Sequence, residues 1–202
     1  TSVFPAMGGV VEVHIAGGRR DAHERVRATF EEHEAALSRF RAESELCAFN
    51  ASRGQPFVAS RLLMGALVAA LDWSARTDGV FDPTIIDALE ALGYDRTFDD
   101  LATPGGARRA SFARPAGSWR AIARDAATRT VRMPANVRVD LGGIGKGYTV
   151  DAAVRALGRG ANAIVNATQM TRMYRPVRIA MSRGMRCQNS WTIFLPRASV
   201  GK

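Results

Sequence analysis

Hydrophobic and polar positions predict strands and helices along the first half of the chain. Alternation within residues 3–17 predicts one opening strand. In residues 21–40, apolar side chains recur at spacings of three and four, which predicts an amphipathic helix with Phe40 at the end of its apolar face. A polar connection follows, and Ser60 is placed to cap a second, strongly apolar helix that ends near Asp78.

The next part of the chain has weaker periodicity. Pro83 disfavours the helical conformation at Asp82, so this segment is expected to start extended and then form a short helix. Residues 97–118 are rich in Gly, Pro, Ala and Arg, which predicts an irregular surface loop. Residues 119–134 contain two short runs around a turn and are predicted to form a hairpin.

A strand, a glycine-rich turn, a helix and a second strand are predicted between residues 137 and 167. Residues 137–141 alternate as a strand with one buried face, and residues 148–160 have a helical pattern. Residues 161–167 predict a short buried strand. This order is that of a βαβ-like unit.

Composition is that of an ordinary soluble globular chain of 202 residues, with 47% hydrophobic and 23% charged residues. No run of about 18 apolar residues occurs, so no transmembrane helix is expected. The first residues lack a basic segment followed by an apolar one, so they do not form a signal peptide, although one could have been removed before residue 1.

The net charge of +9 is unevenly distributed. Residues 168–202 hold six Arg, one Lys and no Asp or Glu, so this segment alone carries seven of the nine excess positive charges. A nucleic-acid-binding protein that uses this basic tail is therefore one hypothesis. Its aromatic residues are too scattered for a stacking module, so nucleic acid is not an expected partner.

Cysteine and histidine give no sign of a metal site. Cys47 and Cys187 form no CxxC pair and are interpreted as free thiols. His14, His23 and His33 are not spaced as zinc ligands and are interpreted as surface residues.

The stretch VDLGGIGKGY holds the chain's strongest chemical signal. Glycines let a backbone approach a ligand closely, and amides at a helix start favour phosphate. Asp140 can accept a hydrogen bond from a nucleotide, and Lys146 adds a positive charge. The alternative is a plain turn with a solvated lysine. A P-loop is excluded, because Asp140 replaces its first glycine and Gly147 its hydroxyl residue; Tyr148 breaks the dinucleotide fingerprint.

Four segments, taken in order, resemble one family. They are AMGG, LSRFRAESELCAFN, GVFDPT and VDLGGIGKGYTVD, at residues 6–9, 37–50, 79–84 and 139–151. Their order and spacing resemble those of the FAD:protein FMN transferases, the ApbE-like flavin transferases. The resemblance implies an α+β fold, a mixed sheet with flanking helices, and it covers roughly residues 3–167.

The resemblance also implies an activity. Members of this family split the pyrophosphate of FAD and move FMN to a Thr or Ser of an acceptor protein, with AMP released and Mg²⁺ required. Phosphoryl transfer depends mainly on positioning and on neutralising negative charge, which suits a lysine among glycines. The implied partners are FAD and the acceptor protein. The family often works at the bacterial cell envelope; a cytoplasmic location would follow if no signal peptide had been removed.

Residue roles are implied by position in the family's motifs. Asp140 and Lys146 would bind the nucleotide and act in catalysis, and the Gly143 carbonyl would help to ligate Mg²⁺. The remaining residues that would line the FAD site are Met7, Phe40, Val80, Phe81 and Asp82. Each of the last group has a structural alternative in the core or in a turn. Only Asp140 and Lys146 are better explained by a ligand.

The sequence departs from the family pattern after the strand at 161–167. The family's Gly-Gly-Asp segment is replaced by TQMTRMYRP, and no acidic residue follows Asp151. The carboxylates that complete the family's metal site are thus missing, and the domain is expected to be C-terminally incomplete. We expect a transferase-like domain at 1–167 and an atypical tail at 168–202, from a shifted reading frame, a divergent ending or a true basic arm.

This departure leaves two interpretations open beside an active transferase. The chain could bind FAD without transferring FMN, or it could bind nucleic acid through its tail. The acceptor protein and the oligomeric state do not follow from the sequence.

Overall fold

The computed structural model describes residues 1–91, 94, 117–158 and 161–169. Its helices are α1 (Ala22–Leu37), α2 (Glu45–Asn50), α3 (Arg61–Arg76), α4 (Ile86–Ala91) and α5 (Gly142–Leu157), with a 3₁₀ turn at Ser118–Ala121. Its strands are β1 (Ser2–Ala6), β2 (Gly9–Ala16), β3 (Phe57–Val58), β4 (Ala123–Asp125), β5 (Thr130–Arg132) and β6 (Asn162–Gln169). This composition agrees with the predicted α+β class.

Two three-stranded sheets are formed, in the orders β1-β2-β6 and β3-β5-β4. Every strand pair in the described ranges is antiparallel, so this part holds no parallel pairing of the predicted mixed sheet. The predicted hairpin at 119–134 is confirmed as β4 and β5. None of the helices in the described residues combines the length and apolar character needed to cross a membrane.

The opening segment is a hairpin rather than the single predicted strand. Ala6 pairs with Gly9, which leaves Met7 and Gly8 as a two-residue turn with φ of 53° and 64°. Positive φ at both turn residues is the type I′ geometry, whose twist suits a tight hairpin. Alternate residues of both β1 and β2 are buried in the same hydrophobic cluster, so the sequence alternates on both sides of the turn.

One hydrophobic cluster lies between the first sheet and helices α1 and α5. Its largest fully buried side chains are Val11, Val13, Val26 and Phe30. A second cluster is built mainly from α2, α3 and β5, together with alternate residues of 137–141. Helix α1 adds Leu37 to this second cluster, and Ile144 and Tyr148 of α5 pack against it. Helices α1 and α5 therefore join the two clusters.

The predicted strand at 137–141 is not a strand. Val137, Val139 and Leu141 are buried, as the alternation predicts. The backbone bonds go elsewhere, because Val139 donates to Oδ1 of Asn50 and accepts from Nδ2 of the same side chain, at 2.8 and 2.9 Å. A side-chain amide thus replaces a neighbouring strand, and no βαβ unit forms.

Two helices differ from the sequence expectation. The segment taken as a polar connection contains α2, whose N-cap Ser44 accepts from the Cys47 amide at 3.0 Å. Helix α1 ends at Leu37, so Phe40 lies beyond it rather than on its apolar face. The helix starting at Ser60 and ending before Asp78 is confirmed as α3, with the Ser60 side chain accepting from the Leu63 amide.

His33 is buried, which contradicts its interpretation as a surface residue. Its Nδ1 lies 3.0 Å from the Thr149 hydroxyl, which itself donates to the Gly145 carbonyl at 2.8 Å. Burial lowers the pKa of His33. Cys47 is a free thiol as predicted, and Cys187 lies outside the described residues. The predicted loop at 97–118, except its last two residues, and the tail beyond 169 also lie outside them.

Candidate active site

A cleft of about 650 Å³ lies where α1 ends and α5 begins. The hairpin turn between β1 and β2 and the segment between α3 and α4 also form its walls. The residues predicted for the site all line this one cleft: Met7, Phe40, Val80, Phe81, Asp82, Asp140, Gly143 and Lys146. The fold thus brings the four sequence segments together, while the role of each residue toward a ligand stays a prediction.

The glycine-rich stretch forms the start of α5 rather than a turn before it. The helix begins at Gly142, six residues earlier than predicted. A Cβ on Gly143 would lie 2.8 Å from Cε2 of Phe81, so the absence of a side chain there lets the Phe81 ring pack against the helix. The first turn of a helix presents amide groups and a positive dipole end, and here it faces the cleft.

Lys146 lies one turn into α5 and lines the cleft. Burial lowers the pKa of Lys146, and the nearby Glu34 carboxylate opposes this effect. Glu34 also accepts a hydrogen bond from the Met7 amide at 3.0 Å and lies 3.6 Å from Arg41. One carboxylate on α1 therefore connects the hairpin turn, the residues after α1 and the lysine of α5.

Asp140 is held in place through both carboxylate oxygens. Oδ1 accepts from the Gly142 amide at 2.8 Å, and Oδ2 lies 3.5 Å from Nε of Arg39. The Asp140 amide donates to the Pro83 carbonyl at 2.8 Å. The segment that carries Asp140 is thus joined directly to the segment that carries Asp82.

Phe40 stands at the mouth of the cleft with about a third of its surface exposed. Its ring meets the Tyr94 ring edge to face, with 5.8 Å between centroids. The Arg39 guanidinium lies over both rings, at 4.1 and 4.7 Å. Partial exposure and the flat ring suit a stacking contact with a planar ligand.

The three residues from Val80 to Asp82 line the cleft and differ in burial. Val80 is 89% exposed, whereas Phe81 is half-buried and packs on the second cluster. The Asp82 carboxylate is buried and already engaged: Oδ1 accepts from the Thr84 amide and hydroxyl, and Oδ2 accepts from the Gly117 amide at 2.6 Å. Asp82 thus has the turn-forming role that was the structural alternative, whatever else it contacts.

A sequence model described as the ApbE family matches residues 7–190. The chain belongs to the ApbE family. The matched range extends beyond residue 167, into the segment 168–202 that the sequence analysis assigns to an atypical tail. The domain boundary at residue 167 stays a prediction.

Similar proteins agree with this assignment to the ApbE family. The FAD:protein FMN transferase of Treponema pallidum (strain Nichols) is 32% identical over 142 residues, which are 67% of this chain and 39% of that protein. The solved ApbE protein of Thermotoga maritima matches with a TM-score of 0.71 and 23% identity over 82% of this chain. The apo flavinyl transferase ApbE of Pseudomonas stutzeri matches with a TM-score of 0.66 and 24% identity over 83% of this chain.

These comparisons also define how much of an ApbE protein is represented here. The chain spans 55% and 57% of the two solved chains and 39% of the curated relative. The structural matches confirm the α+β fold. Activity, substrates and partners, which belong to the whole relatives, come to this chain only as proposals.

A metal site is not assembled by the described part of this ApbE chain. No group of three or more His, Cys, Asp or Glu residues in the described ranges could hold a metal ion. The cleft carboxylates of Glu34, Asp82 and Asp140 each have protein partners already. The described side chains therefore do not fit a complete Mg²⁺ site, and Gly143 as a carbonyl ligand stays a prediction.

Sequence reasoning missed the charged residues that support the ApbE cleft. Glu34, Arg39 and Arg41 all line it, and none was predicted. Glu34 and Arg39 lie within or beside the first helix pattern, where charges are expected to be solvated. Their roles depend on contacts that the sequence does not show, because Arg39 pairs with Asp140 and Glu34 accepts from the Met7 amide, both far away in the chain.

Proposed function

We propose that this chain takes part in moving FMN from FAD to a threonine or serine of an acceptor protein, with AMP as the leaving group. The observation that carries the proposal is the single cleft lined by all eight predicted residues. The name of the Treponema pallidum relative, FAD:protein FMN transferase, supports it.

The lining of the cleft suits a flavin dinucleotide. Its volume of about 650 Å³ lies within the range of small-molecule and cofactor sites. Met7, Phe40, Phe81 and Ile85 supply apolar walls for flat ring systems. Lys146 and the first turn of α5, which also line the cleft, supply the positive charge that a pyrophosphate requires.

The reaction is a displacement at phosphorus. The acceptor hydroxyl oxygen bonds to the FMN phosphorus, the bond from that phosphorus to the bridging oxygen breaks, and the bridging oxygen leaves with AMP. The hydroxyl proton passes to solvent or to the departing phosphate, so atoms and charge balance. Lys146 would neutralise charge on the phosphate oxygens, which is the main demand of such a step.

Asp140 would orient the nucleotide rather than supply its charge. Its carboxylate is fixed by Gly142 and Arg39 and so offers an acceptor in a defined direction. A ribose hydroxyl or a ring N–H is the matching donor. Fixed acceptors of this kind contribute by positioning the reacting phosphorus for attack.

Mg²⁺ enters this proposal through the family resemblance. Magnesium takes oxygen ligands and usually keeps several waters. The Gly143 carbonyl is the ligand that the resemblance implies. The roles of Lys146 and Asp140 above do not depend on the ion.

The test is FMN transfer to a flavinylatable acceptor, read as covalent fluorescence in a denaturing gel. We expect labelled acceptor with FAD and Mg²⁺, and loss of the label with EDTA or in Lys146→Ala. Arg61→Ala is the matched control, because Arg61 is exposed at the start of α3 and does not line the cleft. Folded protein that binds FAD but never labels the acceptor would contradict transfer.

A second candidate is a flavin-nucleotide-binding protein without transferase activity. The observation that favours it is the lack, in the described ranges, of a cluster of metal-ligating side chains. The labelling assay separates the two candidates, because both predict FAD binding and only the first predicts a labelled acceptor. Titration of the same sample with FAD then distinguishes a flavin-binding protein from a chain that binds no flavin.

A further inference from the structure

Arg39 lines the cleft with a cationic side chain that is itself buried. Only 5% of its side chain is exposed, although it lies between the exposed Phe40 and the end of α1. An arginine is rarely buried unless it is paired. Its partners therefore show what it is built to hold.

The Arg39 guanidinium is shared among three acceptors on different segments. Nε lies 3.5 Å from Oδ2 of Asp140, and Nη1 lies 3.9 Å from Oε1 of Glu90 on α4. Nη2 donates to the Tyr94 carbonyl at 2.7 Å. The fork of an arginine can meet several acceptors in fixed directions, which a lysine cannot do.

The flat face of the same guanidinium organises two rings. It lies 4.1 Å from the Phe40 centroid and 4.7 Å from the Tyr94 centroid, and the two rings meet edge to face. Arginine over an aromatic ring is an attractive arrangement that strengthens when water is excluded. Phe40, which is partly exposed, is thereby restricted in where its ring can stand.

We propose that Arg39 is a positioning residue of the nucleotide site, which fixes the Asp140 carboxylate and the Phe40 ring toward one half of FAD. The inference rests on the proposed function, because it describes how two residues of the proposed FAD site are kept in place. Arg39 contacts two of the predicted site residues, Asp140 and Phe40. Its positive charge also offsets the negative charge of the Asp140 carboxylate, which would otherwise repel an anionic ligand.

The proposal differs from a purely structural ion pair in what it predicts. A structural pair would change folding stability and would weaken every ligand alike. A positioning residue acts on the part of the ligand that touches Asp140 and Phe40. Because FAD is made of FMN and AMP, the two halves can be tested separately.

The experiment compares FAD, FMN and AMP affinities of the wild type, Arg39→Gln and Arg39→Lys, with Arg61→Gln as control. We expect Arg39→Gln to weaken FAD about tenfold, in line with the loss of a charge-assisted contact. The same loss should appear for one of the two halves, and the other half should bind as in the wild type. Arg39→Lys should show a smaller loss for the same half, because it keeps the charge without the fork.

A double-mutant cycle adds a second readout. Once Asp140 is changed to Asn, Arg39→Gln should cost clearly less FAD affinity than it does alone, because the group it orients is already impaired. Equal losses for both halves, or strictly additive losses with Asp140→Asn, would overturn the proposal. Unchanged FAD binding by Arg39→Lys would also overturn the proposal. This variant provides the test if Arg39→Gln does not fold. A wild-type chain that binds no FAD would overturn the proposed function and this inference with it.

Discussion

Lys146 carries its charge in a place where burial opposes that charge. The chain has 28 Lys and Arg residues, and only Lys146 and Lys202 are lysines. A lysine is a compact point charge whose pKa shifts readily when it is desolvated. Its use at this position, in a chain that otherwise relies on arginine, matches a site for phosphate rather than a bidentate ion pair.

We predict that FAD affinity falls with rising pH earlier than for an ordinary lysine. The protonated form of Lys146 attracts the pyrophosphate, so binding is strongest below the pKa of Lys146 in the free protein and weakens as pH rises through it. Burial lowers the pKa of Lys146 from its usual 10.5, and Glu34 only partly opposes this. The measurement is the FAD dissociation constant from neutral to alkaline pH.

Two variants define the controls for this pH profile. Lys146→Met should bind FAD more weakly and lose this pH dependence, whereas Lys202→Arg should keep the wild-type profile. An unaltered profile in Lys146→Met would show that another group titrates.

Met7 holds a conformation that favours glycine or asparagine. Its φ of 53° lies in the left-handed region, where residues other than Gly, Asn and Asp are strained. Its amide is bonded to Glu34, and its side chain lines the cleft. Strain kept at a residue that lines the candidate cleft, where a better turn former would be available, favours a role for the Met7 side chain.

We predict that Met7→Asn affects binding far more than folding. Asn tolerates this φ, and this gain offsets the lost packing of Met7 on the first cluster, so the free energy of unfolding should change by less than about 1 kcal/mol. FAD affinity should fall, because an apolar wall of the cleft is lost. Thermal unfolding and FAD titration on one sample check both effects. Destabilisation with unchanged binding would mean that Met7 serves the core alone.

At the level of elements, α3 and α5 pack through a glycine and a tyrosine. A Cβ on Gly65 of α3 would overlap the hydroxyl oxygen of Tyr148 on α5, and the next nearest atom would be Cζ at 3.5 Å. The 3.5 Å distance is ordinary contact. Among the residues that the structure describes, the tyrosine hydroxyl alone requires a glycine at this crossing.

Gly65→Ala should thus destabilise the wild type by roughly 1–3 kcal/mol, the usual cost of overpacking. In a Tyr148→Phe background the same change should be neutral or stabilising by up to about 1 kcal/mol, because Ala is the better helix former. Denaturant unfolding of the four proteins of this cycle gives the coupling. Equal costs in both backgrounds would show that another contact sets the α3–α5 distance.

Elements that follow local rules could be predicted, and those that depend on distant partners could not. Helix α3 follows from its Ser60 cap and its apolar face. The strand predicted at 137–141 failed although its buried face was right, because the Asn50 side chain binds the Val139 backbone from 89 residues away. The start of α5 was missed, since glycine-rich sequence predicts a turn unless packing stabilises the helix.

The same distinction applies to the residues of the candidate site. The residue types of Asp140 and Lys146, within a glycine-rich stretch, were enough to select them. Arg39 and Glu34 became visible only when folding placed them against Asp140 and Met7. A single sequence does not show which surface charges on a helix will be covered.

On the scale of the whole molecule, the cleft lies where the two hydrophobic clusters meet. Met7 packs against the cluster of the first sheet, and Phe81 packs against the cluster around α3. Both residues line the cleft. A ligand that contacts both walls should therefore stabilise both clusters together rather than one of them.

We predict that FAD raises hydrogen-exchange protection on both walls. At a FAD concentration of 100 times Kd, binding stabilises the folded state by about 2.7 kcal/mol against global unfolding. The amides of Met7, Phe81 and Gly142, which donate to the side chains of Glu34, Thr77 and Asp140, should become protected to a similar degree. Lys146→Met should lose protection at all three for the same FAD concentration, because its affinity is lower. Protection of the Met7 amide alone, or of the Phe81 and Gly142 amides alone, would mean that the ligand contacts one wall. The two clusters would then respond to the ligand independently.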